Sequence, residues 1–249
     1  MGLHIYSGSL VRFFTNDWEN EIEKLARLNG WKYTMHYPDG EPEWPSVEDA
    51  EDFSRWLANL ILGQEGTRND QLQWKDDLID YHTFKLHDEG RESMAIISAH
   101  EFRPELPLPG NMPDEPYADQ AVDEASAGKY SLDALLPFDA ELLLPGEFSY
   151  VSFVEDPLHR RRLCCSTSRL RKALKKIEAG TFGGQIDVEG WLRNGLVYAR
   201  NAGKVADDGT LVKEPEPQDS LLRNAMFGFA VYSSILDFSD RYGSAIVVG

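Results

Sequence analysis

Cysteine is nearly absent from this chain: Cys164 and Cys165 are the only two in 249 residues, and they are adjacent. Neighbours on an extended chain point to opposite faces, so a disulfide between them would be strained. The pair supplies neither a disulfide framework nor a zinc spacing. Such usage suits a reducing compartment, and the cytoplasm is the expected location. Long apolar runs are missing too, and no stretch approaches the roughly 20 apolar residues that span a bilayer. The opening Met1-Gly2-Leu3-His4-Ile5-Tyr6 has no basic segment followed by an apolar one, so no signal peptide is expected. Tyr6 stands where a myristoylation motif needs Ser or Thr. The sequence also lacks a Gly-x-Ser-x-Gly elbow, a Walker A loop, a Gly-x-Gly-x-x-Gly fingerprint and a His-Glu-x-x-His helix. No cofactor and no resident metal are expected.

Positive charge is the second shortage. Lys and Arg number 25 against 42 Asp and Glu, a formal net charge of -17, and the pI is about 4.7. A strongly anionic body repels polyanions, which argues against nucleic acid and membrane surfaces and favours a cationic protein partner. The scarce cations are unevenly placed. Residues 157–177 carry Arg160, Arg161, Arg162, Arg169, Arg171, Lys172, Lys175 and Lys176 with no acid, directly after the strongly acidic stretch 103–147. Ser166, Thr167 and Ser168 open a predicted helix there. Their hydroxyls and free N–H groups, with Arg169, form a candidate anion site. Pairing of these cations with carboxylates of the same chain is the simpler expectation for ordinary surface charge.

What remains is ample for a core: 42% hydrophobic and 11% aromatic residues in a length that suits one large or two small domains. We read 1–249 as a single α+β domain, a mixed sheet covered by four or five helices. Leu3–Phe14 reads as one or two short strands around Gly8. Asn16, with Glu19 three residues on, has capping-box spacing for a helix whose apolar face is Trp18, Ile22, Leu25 and Ala26, with Gly30 just past its end. Trp31–Tyr37 suggests a strand. Ser46 caps a second helix with Ala50, Phe53, Leu57, Leu60 and Ile61 on one face and Gly63 as its stop. The run 71–86 is ambiguous, and 94–99 reads equally as helix or buried strand. Five prolines between Arg103 and Pro116 exclude a regular interior. Residues 103–146 are therefore expected to form a long Pro-rich, acidic surface excursion, with a short helix within 117–128. Residues 147–155 and 161–166 read as a hairpin around Asp156-Pro157. Helices are expected from Ser168, with Leu170, Ala173, Leu174 and Ile177 inward, over 188–202, and over 220–240 with Asp219 as cap. Ala245–Val248 closes the pattern as a strand tied into the same sheet as the first one.

Candidate chemistry is thin. His82 and His87 lie near Asp76, Asp77, Asp80 and Asp88, but five apart they share neither a strand face nor a helix face. Cys164 or Cys165 beside Arg160–Arg162 would have a lowered pKa if exposed; a packed, inert thiol is the plainer expectation. Polar residues near the first strand and helix, His4, Tyr6, Arg12, Asp17 and Glu19, form a candidate ligand or partner site, since sites are common at strand ends. Negative charge at a helix N-terminus also accounts for Asp17, Glu19, Glu21 and Glu23 without any ligand.

The opening through Leu10, followed by Arg12-Phe13-Phe14 and Asp17-Trp18-Glu19, resembles a set of uncharacterised bacterial proteins. These open Met-Gly-Leu-Asp-Leu/Ile-Tyr-x-Gly, then Arg-Tyr-Tyr and Asp/Asn-Trp-Glu. The long helix around Phe227-Gly228-Phe229 and the closing strand are similar as well. The resemblance implies no activity. His4 replaces its Asp, and Phe13-Phe14 replace its tyrosines.

Two functional expectations follow. One is an acidic cytosolic binding protein, an immunity-type or regulatory partner, motivated by the charge balance and by the aromatics Trp31, Trp44 and Tyr117. The other is a small-molecule enzyme using the polar cluster near the first strand. The second requires Arg12, Asp17 and Glu19 to converge on one cavity. The sequence leaves the oligomeric state open.

Overall fold

The structure is a computed structural model describing residues 2–33, 42–64, 67–129, 131–184, 186–193, 204–205, 211–212 and 220–249. Contacts group the chain into two compact units. A sheet unit comprises Gly2–Lys85, Asp139–Arg171 and Ile235–Gly249, and a helical unit comprises Leu86–Phe138 and Lys172–Ser234.

Strands β1 (Gly2–Gly8), β2 (His82–His87), β3 (Leu142–Leu144), β4 (Ser152–Glu155), β5 (Arg161–Ser166) and β8 (Ala245–Val248) form one sheet. Its order is β2-β1-β8-β3-β5-β4. The remaining strands, β6 (Lys204–Val205) and β7 (Leu211–Val212), form a separate antiparallel pair. β8 runs antiparallel to both β1 and β3, β3 is parallel to β5, and β5 is antiparallel to β4. The sheet is mixed, as expected for an α+β chain, and the first and last strands are direct neighbours. Apolar runs such as Leu142–Leu144 and Ala245–Val248 belong at such a centre, where both faces are covered; every residue in both runs is buried. On one face Tyr6, Leu142, Leu144, Val154, Cys164 and Val247 join Leu10, Phe14, Phe53, Leu57 and Ile61 in a single core cluster.

α1 (Leu10–Phe14) replaces the second strand expected before Phe14. Ser9 caps it, and the Asp76 carboxylate accepts the Leu10 N–H at 2.5 Å and the Ser54 hydroxyl. A carboxylate satisfying the free N–H groups of a helix start makes so short a helix viable. α2 (Glu21–Leu28) begins one turn later than expected. Asn20 is the cap, with Glu23 closing its capping box, while Asn16 sits in the left-handed region at φ 57. Its expected apolar face is not buried: only Ala26 is, while Ile22, Leu25 and Leu28 are exposed. Trp31–Tyr33 forms no strand, and residues 34–37 of that expectation lie outside the described residues. α3 (Val47–Leu62) matches expectation from its Ser46–Asp49 capping box to Gly63 at its end, with Ala50, Phe53, Leu57 and Ile61 buried.

The stretch 103–146 is not a surface excursion throughout. Residues 103–120 contain no buried position, but Ala121, Val122, Ala125, Ala134, Leu135 and Phe138 are buried and Leu142–Leu144 is a central strand. Prolines keep the first half irregular, whereas the second half carries enough apolar surface to enter a core. Gly146 ends β3 at φ 142, where any Cβ would collide with the Gln71 carbonyl.

In the helical unit, 94–99 resolves as part of α4 (Asp88–Phe102), with Met94, Ala95, Ile96, Ile97 and Ala99 all buried. α5 (Gln120–Glu124) continues into a wider turn, Ala125–Lys129, then α6 (Ser131–Ala134) and α7 (Leu136–Asp139). α8 (Thr167–Gly180) starts in the sheet unit and buries Leu170, Ala173, Leu174 and Ile177 as expected. Residues 188–193 are helical, and 194–202 lie outside the described residues, as does the expected cap Asp219. α9 (Ser220–Tyr242) lies so close to α4 at Gly228 that a Cβ there would meet the Gly90 carbonyl oxygen at 2.6 Å. Among the described residues no helix is long and apolar enough to cross a membrane.

Candidate functional site

Within the sheet unit, the entry to α3 and the β4–β5 turn face each other across a cleft of about 870 Å³. One wall is Pro42–Ser46 with Asp49 and Phe53, and the other is Glu155–Arg160. Local chemistry sets both walls. Pro45 precedes the Ser46 cap, whose hydroxyl accepts the Asp49 N–H at 3.1 Å and donates to the Asp49 carboxylate at 2.6 Å. Across the cleft the buried Asp156 organises the turn. Its Oδ1 accepts the N–H groups of Leu158 (2.8 Å) and Arg160 (2.9 Å), and its Oδ2 accepts Arg162 Nε at 2.5 Å. That pairing leaves no uncompensated charge where both side chains are buried, as such ions require. His159 occupies the left-handed region at φ 57 and lies 3.0 Å from Glu155 through Nδ1. Four carboxylates line the cleft (Glu43, Asp49, Glu155 and Asp156) against one arginine and one histidine.

The five candidates near the first strand lie elsewhere, and none lines this cleft. Tyr6 is fully buried, its hydroxyl donating to the Ser9 carbonyl at 3.0 Å, and burial raises its pKa well beyond the usual phenol range. His4 is half-buried with its ring edge toward Trp18; burial, then Lys85, lowers its pKa. Arg12 Nε donates to the Asp17 carboxylate and carbonyl, both at 3.0 Å, and its guanidinium also donates to the Ile79 carbonyl. Glu19 instead accepts from Arg27 Nε at 2.8 Å. What gathers this region is Tyr81, from the stretch 71–86 whose pattern is ambiguous in sequence. It stacks on Tyr6 at 5.8 Å, lies under the Arg12 guanidinium at 5.0 Å, and its hydroxyl accepts the Glu19 N–H at 3.0 Å. The polar groups here hold one another around an aromatic cluster.

The three candidates at the start of α8 are adjacent in the chain, with the two serines closed in and Arg169 half-buried. Ser166 and Ser168 are buried, with their hydroxyls 2.8 Å apart, and Ser166 Oγ also donates to the Gly146 carbonyl. Ser166 Oγ in turn accepts the Ser168 N–H at 3.1 Å. Arg169 Nη2 donates to the Ser149 carbonyl at 3.3 Å. The rest of the basic stretch is largely engaged as well. Arg162 pairs with Asp156, and Arg171 with Asp240; the Arg161 guanidinium lies 4.0 Å over Phe153, and Lys176 lies 3.2 Å over Phe102. Five of the eight cations therefore have a partner, while Arg160, Lys172 and Lys175 are exposed.

Both thiols are buried, so the exposed, activated cysteine is excluded. Burial, with Cys165 adding, pushes the Cys164 pKa far up, and burial holds Cys165 up at about 12 against the smaller pull of Arg169. His82 stacks on Phe238 at 5.6 Å, and burial, then Lys24, lowers its pKa. Among the described residues no group of three or more His, Cys, Asp or Glu could hold a metal ion.

No family model matches this chain, and neither a curated protein nor a solved structure does. Of the cleft, the sequence signalled Trp44, the Ser46 cap, Phe53 on the helix it starts, and the Asp156-Pro157 turn with Arg160, but nothing that joined them. Its two walls are about a hundred residues apart in the chain, and only the closing of the sheet brings residues at such separations together.

Proposed function

We propose that this chain is an acidic cytosolic binding protein of immunity or regulatory type, whose partner is a cationic protein. The observation that carries the reading is the engagement of the basic stretch within the fold. With Arg161, Arg162, Arg169, Arg171 and Lys176 held by carboxylates, a carbonyl and rings, little of 157–177 is left to recognise a polyanion. The excess of 42 acidic over 25 basic residues then dominates the field outside the molecule. Such a field raises association rates with cations and deters nucleic acid. The enzyme reading draws less support, because Arg12, Asp17 and Glu19 are held in two separate ion pairs, Arg12–Asp17 and Glu19–Arg27, and line no common cavity with the cleft residues.

The test is capture on the immobilised full chain at low ionic strength, where the screening length is roughly 30 Å, then elution near 1 M salt, where it is roughly 3 Å. Basic proteins enriched at low salt and released at high salt are the expected result. An eluate no more basic than the lysate applied would refute the reading.

A further inference from the structure

Resting on the acidic-partner reading, the geometry points to the cleft between the α3 entry and the β4–β5 turn as the docking site for an arginine side chain presented by that partner. The volume of about 870 Å³ exceeds one side chain and suits a side chain with the loop that carries it. The lining has the two features a guanidinium uses. Exposed carboxylates stand on opposite walls, Glu43 on one and Glu155 on the other. Trp44 and the buried Phe53, which line the same cleft, supply aromatic surface. A guanidinium is planar, weakly hydrated and forked, so it can stack on a ring while donating to a carboxylate; an ammonium does the second better than the first.

Glu155 already has a neighbour that a guest would replace. His159 is 87% exposed, yet it is turned through a left-handed backbone onto Glu155. An arriving arginine would displace a solvated imidazole rather than break a buried pair. Asp156 takes no part in binding, because its oxygens are filled by Arg162 and by two backbone N–H groups. Arg160, on the same wall, opposes a cationic guest, so recognition rests on Glu43 and Glu155 together.

The test uses the full-length chain and a dye-labelled tetra-arginine peptide, read by fluorescence anisotropy, with tetra-lysine and tetra-citrulline peptides for comparison. Glu43→Gln with Glu155→Gln should weaken tetra-arginine binding about tenfold or more, as loss of close interfacial charge pairs does. Trp44→Leu should weaken tetra-arginine about threefold and tetra-lysine less, in keeping with a cation over an aromatic face. His159→Ala should tighten binding. As a control, Asp114→Asn with Glu115→Gln in the helical unit removes the same charge from exposed positions and should change affinity less than twofold. If the control pair weakens binding as much as the cleft pair, the peptide is held by the overall field. The cleft assignment then fails while the acidic-partner reading stands. If neither cationic peptide binds better than tetra-citrulline at low salt, both fail.

Discussion

α2 and α3 carry the same signals in sequence and meet opposite fates. Each opens on a capping box, Asn20–Glu23 and Ser46–Asp49, and each repeats apolar residues at helical spacing. Yet α3 buries Ala50, Phe53, Leu57 and Ile61, whereas α2 leaves Ile22, Leu25 and Leu28 exposed and buries only Ala26. Periodicity states that a helix has an apolar side; it does not state that anything will cover it. The cap behaves differently. Asn20 is itself fully buried, so α2 is fixed at its start, while its apolar stripe adds little to the core.

That contrast can be broken at several points. The largest effect is expected at Leu57→Ala, which should lower unfolding free energy by about 2–5 kcal/mol in a denaturant melt; a loss below about 1 kcal/mol would mean that α3 is no better seated than α2. Asn20→Ala should cost about 1–2 kcal/mol, near the upper end for caps because the residue is buried, and the exposed Ser46→Ala should cost nearer 0.5–1 kcal/mol. Equal losses would show that burial of the cap does not matter.

Acid sharpens the comparison electrostatically. His4 and His82 both have native pKa values below their ordinary ones, so folding favours the neutral ring. The stability they contribute is present above the unfolded value of about 6.5 and is lost as pH falls through the native value. Thermal melts should therefore show falling stability below about pH 6.5, with a shallower slope in His82→Gln. Lys24 of α2 contributes to the His82 shift, so Lys24→Gln should raise that imidazole's titration midpoint in an NMR titration. The smallest effect belongs to Leu25→Ala, expected within about 0.5 kcal/mol of the parent chain.

Local chemistry was legible where it was sufficient. The Ser46 cap, the inward stripe of α8, the hairpin pairing Glu155 with Arg161, and the union of the first and last strands all followed from residues close in sequence or from plain apolarity. What escaped depends on distant partners. Leu10–Phe14 has a strand-like composition and becomes helical beside Asp76, 66 residues away. Leu142–Leu144 was hidden inside an excursion named for its prolines. Asn16 had the right spacing for a cap, but Asn20 and Glu23 offered the same spacing one turn on, and the chain uses them. Of the candidate site residues, Arg12 and Asp17 do meet, and Ser166 and Ser168 do too, but as mutual hydrogen-bond partners. The cleft required two loops whose proximity no local pattern encodes.

The position of β8 has a consequence for synthesis. It lies between β1 and β3, so the β2-β1 pair and the β3-β5-β4 set have no shared ladder until residue 248 leaves the ribosome. Until then each half presents a margin of unpaired backbone N–H and C=O groups to other nascent chains, the kind of edge that pairs promiscuously. Translation speed and chaperone supply should therefore govern the yield of this protein more strongly than its final thermodynamic stability does.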